Sequence, residues 1–377
     1  MPETRTTEPR IHLLSPEVID KIAAGEVIER PASVAKELVE NALDAGARKI
    51  SVAVRGAPDH FLRVLDDGHG MTEEEAHLAL QRHATSKLRS ADDLETISTL
   101  GFRGEALPTI ARVSRMTLST RAADELGGIQ IEIAGGAIMT TAPVGRPPGT
   151  TVTIANLFFN TPARRKFLQT ARTEMRAVSR LVSSYALARP DVHFLLSHDD
   201  RELLNLPPAA DLRARAAALL DHEVVDRLLD VLFLGELVEI EGLVGSPDLS
   251  RASRDQQTFI VNGRWIQNPL LAHAVRTAYR NRMPAGRFPV AMLHLRFAPE
   301  LVDVNVHPTK REVKFTHERQ VYGAIVRAVE AALREFSPRL GEAAFVLPER
   351  PARPDRQMSM AGELLTDAGR RGPPGRP

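Results

Sequence analysis

The first half of the chain alternates between two patterns of apolar residues. Apolar positions that recur every three or four residues predict helices, and apolar positions that alternate with polar ones predict half-buried strands. Helices are expected over residues 15–24, 31–45, 72–82 and 103–111. Strands are expected over residues 49–55, 61–66, 115–120, 129–133, 137–141 and 150–156. In this order the helices come first and strands connected by hairpins follow. Such an order predicts an α+β sandwich with a largely antiparallel sheet.

The pattern changes near residues 205–230, where Pro207 and Pro208 mark the start of a second domain. Strands over 237–245, 258–261, 290–297 and 302–306 alternate with helices over 269–280 and 318–336, which again predicts an α+β domain. Residues 347–377 are rich in Pro, Arg and Gly, a composition typical of linkers. The predicted bounds are 1–20 for a partly flexible N-terminal arm, 21–205 and 206–338 for two domains, and 339–377 for a linker or tail.

Composition indicates a globular protein. Of the 377 residues, 43% are apolar and 26% are charged, and the net charge is +1, so any basic binding surface has to be local. The absence of cysteine excludes disulfides, thiolate zinc sites and thiol catalysis. The apolar stretches are shorter than the roughly 20 residues of a membrane span, and the N-terminus lacks the apolar core of a signal peptide. We therefore expect a soluble cytoplasmic protein.

The helix over 31–45 carries a polar stripe opposite its apolar one, formed by Glu37, Glu40, Asn41 and Asp44. A solvated acidic face is the ordinary explanation of such a stripe. Glu37 and Asn41, however, stack one turn apart, and the neutral oxygen of an asparagine suits magnesium. A glutamate beside the metal is suited to take a proton from a water aimed at a terminal phosphate.

The strand over 61–66 ends in Asp66, and Gly68 and Gly70 follow it. An ordinary turn is the simple explanation, because Asp-Gly pairs mark turns in many proteins. The alternative is a nucleotide loop in which the glycines allow close approach of a ligand. A buried aspartate that accepts a hydrogen bond from an exocyclic amine selects adenine over guanine.

A glycine loop then leads into the helix predicted over 103–111. Backbone N–H groups at such a helix start suit phosphates. The loop and helix start comprise Gly101, Phe102, Arg103, Gly104, Glu105, Ala106 and Leu107, and the upstream hydroxyls and cation are Thr85, Ser86 and Lys87. The sequence contains neither a GxxxxGK[ST] loop nor a dinucleotide fingerprint.

Lys310 follows a predicted strand of the second domain. A surface lysine after a turn is the ordinary explanation. The functional alternative is a lysine that reaches across the domain interface and neutralises charge on the terminal phosphate during phosphoryl transfer.

These motifs resemble those of the GHKL ATPases. The four matching runs are Glu37-Leu-Val-Glu-Asn41, Asp66-x-Gly-x-Gly70, residues 101–107 and Gly149-Thr-Thr151. Among GHKL proteins the chain is most similar to the MutL mismatch-repair family, whose signature segments resemble residues 22–27, 30–33, 83–87, 101–107, 160–166, 261–264 and 303–310. The resemblance covers most of residues 11–315.

The resemblance implies a fold: a Bergerat-type GHKL ATPase sandwich followed by a ribosomal protein S5 domain 2-like α+β domain. It implies ATP and Mg²⁺ as cofactors, with Glu37 as general base, Asn41 as the metal ligand and Asp66 as the adenine reader. Lys310 corresponds to the phosphate sensor. Residues 101–107 correspond to the phosphate lid, residues 85–87 to lid-side contacts, and Thr150 or Thr151 lies near the adenine pocket.

The resemblance also implies slow ATP hydrolysis that acts as a timer. ATP binding is expected to order the lid and to drive homodimerisation, with residues 11–24 joining the new interface. The implied partners are a MutS-type mismatch-recognition protein and DNA, and the implied location is the bacterial cytoplasm, at the nucleoid during repair.

The candidate DNA contacts are basic residues in two of the signature segments, namely Arg164, Arg165, Lys166 and Arg264. Solvated surface charge explains them equally well. If they bind DNA, the contacts are expected to be with phosphates, independent of sequence and sensitive to salt.

The chain departs from the family pattern in two respects. Asp67 and His69 occupy positions that are usually asparagine and a small residue, and a carboxylate at 67 is expected to lie near the phosphates and weaken nucleotide or metal affinity. The chain also stops in linker-like sequence with no endonuclease motif. We therefore expect an N-terminal fragment without constitutive dimerisation or nuclease activity.

Two further functions compete with an ATP-hydrolysing repair switch. The first is a nucleotide-binding scaffold whose hydrolysis is vestigial, and Glu37 argues against it. The second is the ATPase domain of a type II topoisomerase, which the segments 160–166 and 261–264 disfavour.

Overall fold

The computed structural model describes residues 28–87, 99–101, 104–303 and 313–336. All of them belong to one compact unit, Met1–Phe336, and a second unit, Ser337–Pro377, lies outside the described residues. The helix predicted over 15–24, the part of strand 302–306 beyond residue 303, and Phe102, Arg103 and Lys310 also lie outside them.

The N-terminal region, residues 28–206, contains five helices and eight strands among its described residues. In chain order they are α1 (Pro31–Asp44), β1 (Lys49–Val54), β2 (Phe61–Asp66), α2 (Glu73–Leu78), α3 (Ala106–Arg112), β3 (Arg115–Arg121), β4 (Gly128–Ala134), β5 (Ala137–Val144), β6 (Gly149–Ala155), α4 (Pro162–Arg165), α5 (Ala171–Ala188), β7 (His193–His198) and β8 (Arg201–Leu206).

The eight strands form one sheet in the order β5-β4-β3-β6-β2-β1-β7-β8. Every neighbouring pair is antiparallel except β1 and β7, which run parallel. Helices α1 and α5 pack against each other and onto the sheet, and one apolar core joins the layers. This arrangement confirms the predicted α+β sandwich with a largely antiparallel sheet.

Helix α1 is buried on more than its apolar stripe. Pro31 starts the helix, where its missing N–H leaves no hydrogen bond unmade. Because the sheet lies on one side of α1 and α5 on another, Lys36, Glu37 and Glu40 are all buried. A solvated acidic face is therefore excluded for this part of the polar stripe.

The C-terminal region, residues 207–336, contains four α-helices among its described residues. Its elements are α6 (Leu212–Leu219), α7 (His222–Val225), β9 (Leu228–Leu234), β10 (Glu239–Gly245), β11 (Ser250–Arg251), β12 (Gln257–Val261), β13 (Arg264–Ile266), α8 (Pro269–Ala278), β14 (Phe288–Pro289), β15 (Ala291–Arg296), a 3-10 turn (Pro299–Leu301), β16 (Val302–Asp303), β17 (Lys314–Phe315) and α9 (Glu318–Glu335).

A five-stranded sheet in the order β13-β12-β15-β10-β9 is the centre of this region. Helices α8 and α9 pack together and share the sheet's apolar core. The edge strand β13 also contacts the N-terminal region, because Trp265 packs into the first core, edge-on to Tyr185 with 6.3 Å between ring centroids. Trp265 and Ile266 are adjacent in this short strand but belong to different cores, because Ile266 lies in the core of the C-terminal region.

Several predicted helices differ in their bounds. The helix expected over 72–82 ends at Leu78, although its capping box between Thr72 and Glu75 is present. The helix expected over 103–111 begins three residues later, at Ala106. Helix α5 and the hairpin β7–β8 were not predicted at all. Among the described residues, no helix is long and apolar enough to cross a membrane.

The predicted domain bounds stay a prediction. The large sheet ends at Leu206 and the smaller sheet begins at Leu228.

Candidate functional site

The last turns of α1 carry a cluster of polar side chains around Asp44. The Asp44 carboxylate accepts hydrogen bonds from the backbone N–H of Leu100 and of Gly101, both at 2.9 Å. It also lies 2.5 Å from the Nζ of Lys87, which donates to Asn41 Oδ1 at 3.2 Å. The structure thus brings together three predicted site residues, Asn41, Lys87 and Gly101, although they are far apart in sequence.

Gly101 lies close to the side chains of the Asp44 cluster. A Cβ at this position would lie 2.9 Å from Lys87 Nζ and 3.4 Å from Asn41 Oδ1. Gly104 is constrained in a second way, since it has a left-handed φ of 63° and a Cβ there would lie 2.5 Å from the carbonyl oxygen of Ala84. The two glycines therefore let the loop approach the segment that carries Lys87.

The segment before Lys87 lies beside the start of α3. Thr85 Oγ1 accepts a hydrogen bond from the backbone N–H of Lys87 at 3.1 Å, whereas Ser86 is exposed. Glu105 is the N-cap of α3, without a capping hydrogen bond from its side chain, and Ala106 and Leu107 in the first turn are half-buried. The described part of the predicted phosphate loop therefore contacts α1 through Gly101 and the segment before Lys87 through Gly104.

Asp66 forms the centre of a second cluster, at the end of β2. Its Oδ1 accepts hydrogen bonds from the backbone N–H of Gly68 at 3.0 Å and of Thr150 at 3.3 Å. Burial raises the pKa of the Asp66 carboxyl above its usual value of 3.8, and the two backbone N–H groups oppose this rise. Asp66 is thus a buried acceptor, as a contact with an exocyclic amine requires.

Thr150, and not Thr151, belongs to this cluster. Side chains alternate between the faces of a strand, so adjacent threonines of β6 point in opposite directions. Thr150 pairs with Asp66 in the sheet register, and its Oγ1 lies 3.0 Å from that of Thr120. Thr120 Oγ1 in turn accepts a hydrogen bond from the backbone N–H of Met71.

The loop after Asp66 packs against the end of α1 and so joins the two clusters. The backbone N–H of His69 donates to the carbonyl oxygen of Ala45 at 3.0 Å, and a Cβ at Gly68 would lie 2.8 Å from the Ala45 Cβ. Gly70 has φ of 70° and passes so close to Arg121 that a Cβ would lie 1.8 Å from its carbonyl oxygen. Residues 41–45, the last turn of α1 and its C-cap, therefore contact both clusters.

Asp67, which departs from the family pattern, contacts the turn before β1. Its exposed carboxylate accepts hydrogen bonds from the backbone N–H of Arg48 at 2.8 Å and of Lys49 at 2.7 Å. It therefore caps the turn between α1 and β1. The expected weakening of nucleotide or metal affinity by this carboxylate stays a prediction.

Glu37 lies one turn before Asn41 on α1 and is buried among charged side chains. Its Oε1 is 3.1 Å from Lys36 Nζ, which is also 2.9 Å from Glu40 Oε2. Burial acts to lower the pKa of Lys36, but the two carboxylates outweigh it and the pKa is raised. The Lys36 ammonium is therefore charged at neutral pH.

The candidate DNA contacts fall into two groups. Arg165 is exposed, with its guanidinium 3.2 Å from His60 Nε2 and 3.9 Å from Asp59, and Lys166 is exposed. Arg164 is half-buried, which lowers its pKa.

Arg264 is a correction to the predicted DNA contacts. It is only 4% exposed, and its guanidinium donates to the carbonyl oxygen of Thr99 at 3.0 Å. A side chain buried to this extent is not available to a DNA phosphate, so we withdraw it as a DNA contact in this structure.

Sequence reasoning missed three residues that organise the site, Asp44, Thr120 and Lys36. Asp44 lies three residues after Asn41 on the predicted polar stripe, so the helical spacing could have identified it as a neighbour of Asn41. Lys36 precedes Glu40 by four residues, the spacing of a helical ion pair. Thr120 had no local signal, because only the pairing of β3 with β6 brings it to Thr150.

The protein offers few ligands around Asn41, which fits a cation whose other ligands come from outside the protein. Asn41 and Asp44 offer oxygen atoms, which magnesium prefers, and they already accept the Lys87 ammonium. Within the described ranges, no group of three or more His, Cys, Asp or Glu side chains is arranged to hold a metal. A hard cation bound mainly by phosphates and water suits such a sparse protein ligand set.

Two family models match the chain. Residues 29–140 match the histidine kinase-, DNA gyrase B- and HSP90-like ATPase model, and residues 216–334 match the model of the C-terminal domain of DNA mismatch repair proteins. The first match contains Glu37, Asn41, Asp66 and Gly101, whereas Thr150 of the Asp66 cluster lies outside it.

The chain is similar over most of its length to bacterial proteins named DNA mismatch repair protein MutL. It is 47% identical to that of Desulforamulus reducens over 86% of this chain and 50% of the relative. It is 48% identical to that of Symbiobacterium thermophilum over 86% of this chain and 51% of the relative. The chain thus spans about half the length of these relatives.

Solved structures show the same fold. The crystal structure of the N-terminal domain of a DNA repair protein superposes with a TM-score of 0.71, at 22% identity, over 84% of this chain and 98% of that one. The Aquifex aeolicus MutL ATPase domain complexed with ADP superposes with a TM-score of 0.57, at 28% identity, over 79% of this chain and 98% of that one.

Proposed function

This chain belongs to the MutL family of DNA mismatch repair proteins and has the GHKL ATPase fold, and we propose that it binds ATP with magnesium and hydrolyses it slowly as a switch in mismatch repair. One observation carries the proposal: residues 41–45, the last turn of α1 and its C-cap, contact both the Asp66 cluster and the Lys87–Gly101 cluster. A nucleotide that lay along the end of α1 would have its base at Asp66 and its phosphates at Gly101.

In the proposed complex, the two ends of the nucleotide are recognised by different chemistry. The Asp66 carboxylate accepts from the adenine amine while the backbone N–H groups of Gly68 and Thr150 hold it in place. Lys87 and the N–H groups at the start of α3 offer positive charge to the phosphates. Magnesium, when bound at Asn41, neutralises phosphate charge and orients the terminal phosphate.

Glu37 is the proposed general base. It lies on the same helix as Asn41, one turn away, so a water beside the terminal phosphate comes within reach of its carboxylate. Lys310, outside the described residues, is the proposed sensor of the terminal phosphate. Positioning and charge neutralisation of this kind supply most of the catalysis in phosphoryl transfer.

The action of the ATPase in repair is likewise proposed. ATP orders the lid around residues 101–107 and drives homodimerisation through residues 11–24. The dimer binds DNA without sequence preference and links a MutS-type mismatch-recognition protein to later repair factors, at the nucleoid in the bacterial cytoplasm. The family membership and the match to a mismatch-repair domain over residues 216–334 support this role.

Phosphate release by the wild type and by Glu37→Ala tests the enzymatic part. We expect the variant to bind an ATP analogue normally but to release phosphate at least about 100-fold more slowly, the usual contribution of a general base. Equal rates would instead favour the nucleotide-binding scaffold with vestigial hydrolysis. Size-exclusion chromatography with and without a non-hydrolysable ATP analogue tests dimerisation. We expect the apparent mass to double only when the analogue is present.

A further inference from the structure

Glu37 belongs to a buried ionic cluster whose other members the proposed mechanism does not use. The cluster consists of Lys36, Glu37 and Glu40 on α1 and Tyr185 on α5, and each of them is at most 6% exposed. Burying a charged group is costly unless it is paired, and an apolar set of similar volume commonly gives equal or greater stability. A lysine and two glutamates inside a packed helix pair therefore suggest a role other than stability.

The contacts run in one line from α5 to Glu37. The Tyr185 hydroxyl donates to Glu40 Oε1 at 2.5 Å, and Glu40 Oε2 lies 2.9 Å from Lys36 Nζ. Lys36 Nζ then lies 3.1 Å from Glu37 Oε1. The Tyr185 ring is held in turn by the edge of Trp265.

Two of the three links are hydrogen bonds, from Tyr185 to Glu40 and from Lys36 to Glu37, and the third is the ion pair of Lys36 with Glu40. Burial and the nearby Glu40 carboxylate raise the pKa of Tyr185 well above its usual value, so the hydroxyl stays protonated and donates a hydrogen bond to Glu40. Glu40 is thereby held in one rotamer, and its second oxygen fixes the Lys36 ammonium. A lysine side chain is otherwise flexible and would not orient a neighbour by itself.

We propose that Lys36 is a positioning residue for Glu37, whose carboxylate it holds, through the Glu40 and Tyr185 contacts, in the orientation that removes a proton from the attacking water. This inference rests on the proposed function, because it requires Glu37 to be the base. Lys36 touches neither nucleotide nor water in this scheme and acts only through Glu37. If the Glu37 carboxylate is displaced, the rate of hydrolysis falls, whereas the binding of ATP through Asp66 and Gly101 is unaffected.

The test compares kcat and KM for ATP hydrolysis by three variants of the full chain. Lys36→Met removes the ammonium at similar volume and is expected to lower kcat about 30-fold or more while KM changes by less than about twofold. Lys36→Arg keeps the charge and is expected to recover part of the loss. Tyr185→Phe removes only the hydroxyl and is expected to lower kcat by about three- to tenfold.

Tyr279→Phe is the matched control. Tyr279 is also buried, and its hydroxyl donates to the carbonyl oxygen of Gly245, in the second core. Its replacement is expected to lower the melting temperature as Tyr185→Phe does but to leave kcat unchanged. If Lys36→Met does not fold, Tyr185→Phe against Tyr279→Phe decides the question.

Two results would overturn the inference and leave the proposed function intact. One is an unchanged kcat in the Lys36 and Tyr185 variants while Glu37→Ala abolishes turnover. The other is a joint loss of ATP affinity, kcat and melting temperature that Lys36→Arg does not relieve, because this is the result of a merely structural role. Wild-type turnover by Glu37→Ala would overturn both the inference and the proposed function.

Discussion

The Asp44 carboxylate lies 2.9 Å from the backbone nitrogen of Gly101 and accepts its hydrogen bond. The same side chain holds Leu100 and Lys87, so one residue at the end of α1 aligns two segments that flank the site. Asn41, a turn earlier, shares the Lys87 ammonium. The predicted metal ligand and the predicted phosphate loop are thus held together through a residue that has no assigned role in the chemistry.

Asp44→Asn is therefore expected to weaken nucleotide binding. An amide presents one acceptor oxygen, so at least one backbone N–H loses its partner and the pairing with Lys87 is lost. Each unpaired buried group costs about 1–3 kcal/mol, which corresponds to a loss of affinity of roughly 5- to 150-fold if it falls on the bound state.

Titration calorimetry with a magnesium-bound, non-hydrolysable ATP analogue measures this loss. Asp67→Asn is the matched control, because Asp67 also accepts two backbone hydrogen bonds but is exposed, at the turn before β1. The role given to Asp44 is wrong if both variants bind the analogue equally well.

Asp66→Asn is expected to reduce the preference for ATP over GTP. When the amide turns its NH₂ toward the ligand, two hydrogen-bond donors face each other. The amide then accepts no hydrogen bond from the adenine amine. A site built to hydrogen-bond one base rejects another strongly, so we expect ATP affinity to fall by about 100-fold with little change for GTP. Competition of both nucleotides against a fluorescent ATP analogue measures this ratio, and an unchanged ratio would exclude Asp66 as the adenine reader.

ATP binding is expected to weaken in acid at a higher pH than an ordinary aspartate would cause. Burial raises the pKa of Asp66, so the carboxyl takes up its proton above pH 3.8 and then loses acceptor capacity. The raised pKa has the opposite effect on folding. The stabilisation it contributes is complete below pH 3.8 and is lost as the pH rises through the raised value.

Charge reversal at the last residue of α4 and its C-cap is expected to weaken DNA binding. Arg165→Glu combined with Lys166→Glu removes two exposed cations. If both contact phosphates, the slope of log K against log salt becomes shallower by about 1.8. Fluorescence anisotropy with a duplex of arbitrary sequence at several salt concentrations measures the slope. Arg201→Glu, which reverses an exposed charge on β8, is the control and should change the slope little.

His294 is expected to make folding stability depend on pH. Its Nε2 lies 3.1 Å from the carbonyl oxygen of Leu187, and burial lowers its pKa below the usual 6.5. The unfolded chain then takes up a proton at a higher pH than the folded protein does. The stabilisation is therefore present above pH 6.5 and is lost as the pH falls through the folded pKa.

For one proton the slope reaches about 1.4 kcal/mol per pH unit. Urea unfolding at pH 7.5, 6.5 and 5.5 measures it, and His294→Gln should reduce the loss of stability in acid. His222→Gln, at an exposed histidine, serves as the control. A pH dependence that is the same in all three proteins would contradict the assignment.

Local sequence determined the elements of the site. The 3.6-residue spacing predicted α1 within one residue of its observed end, and alternation predicted β2 with Asp66 as its last residue. The capping box at Thr72 and Glu75 was readable because its hydrogen bonds join residues three apart. Such features depend on neighbours in the chain, so a single sequence contains the information for them.

Only the tertiary structure decided which polar residues are buried and what they contact. Glu40 and Lys36 are buried because α5 packs along α1 and brings Tyr185 to them, a contact between residues 145 positions apart. Arg264 is buried for a similar reason, since β13 lies against the first core and 165 residues separate it from Thr99. No local pattern encodes such a contact, because it depends on how two separately formed elements pack. Spacing along one helix could therefore propose Glu37 and Asn41 and place Asp44 and Lys36 near them. Only packing could show what Asp44 and Lys36 contact, add Tyr185 and remove Arg264 from the DNA surface.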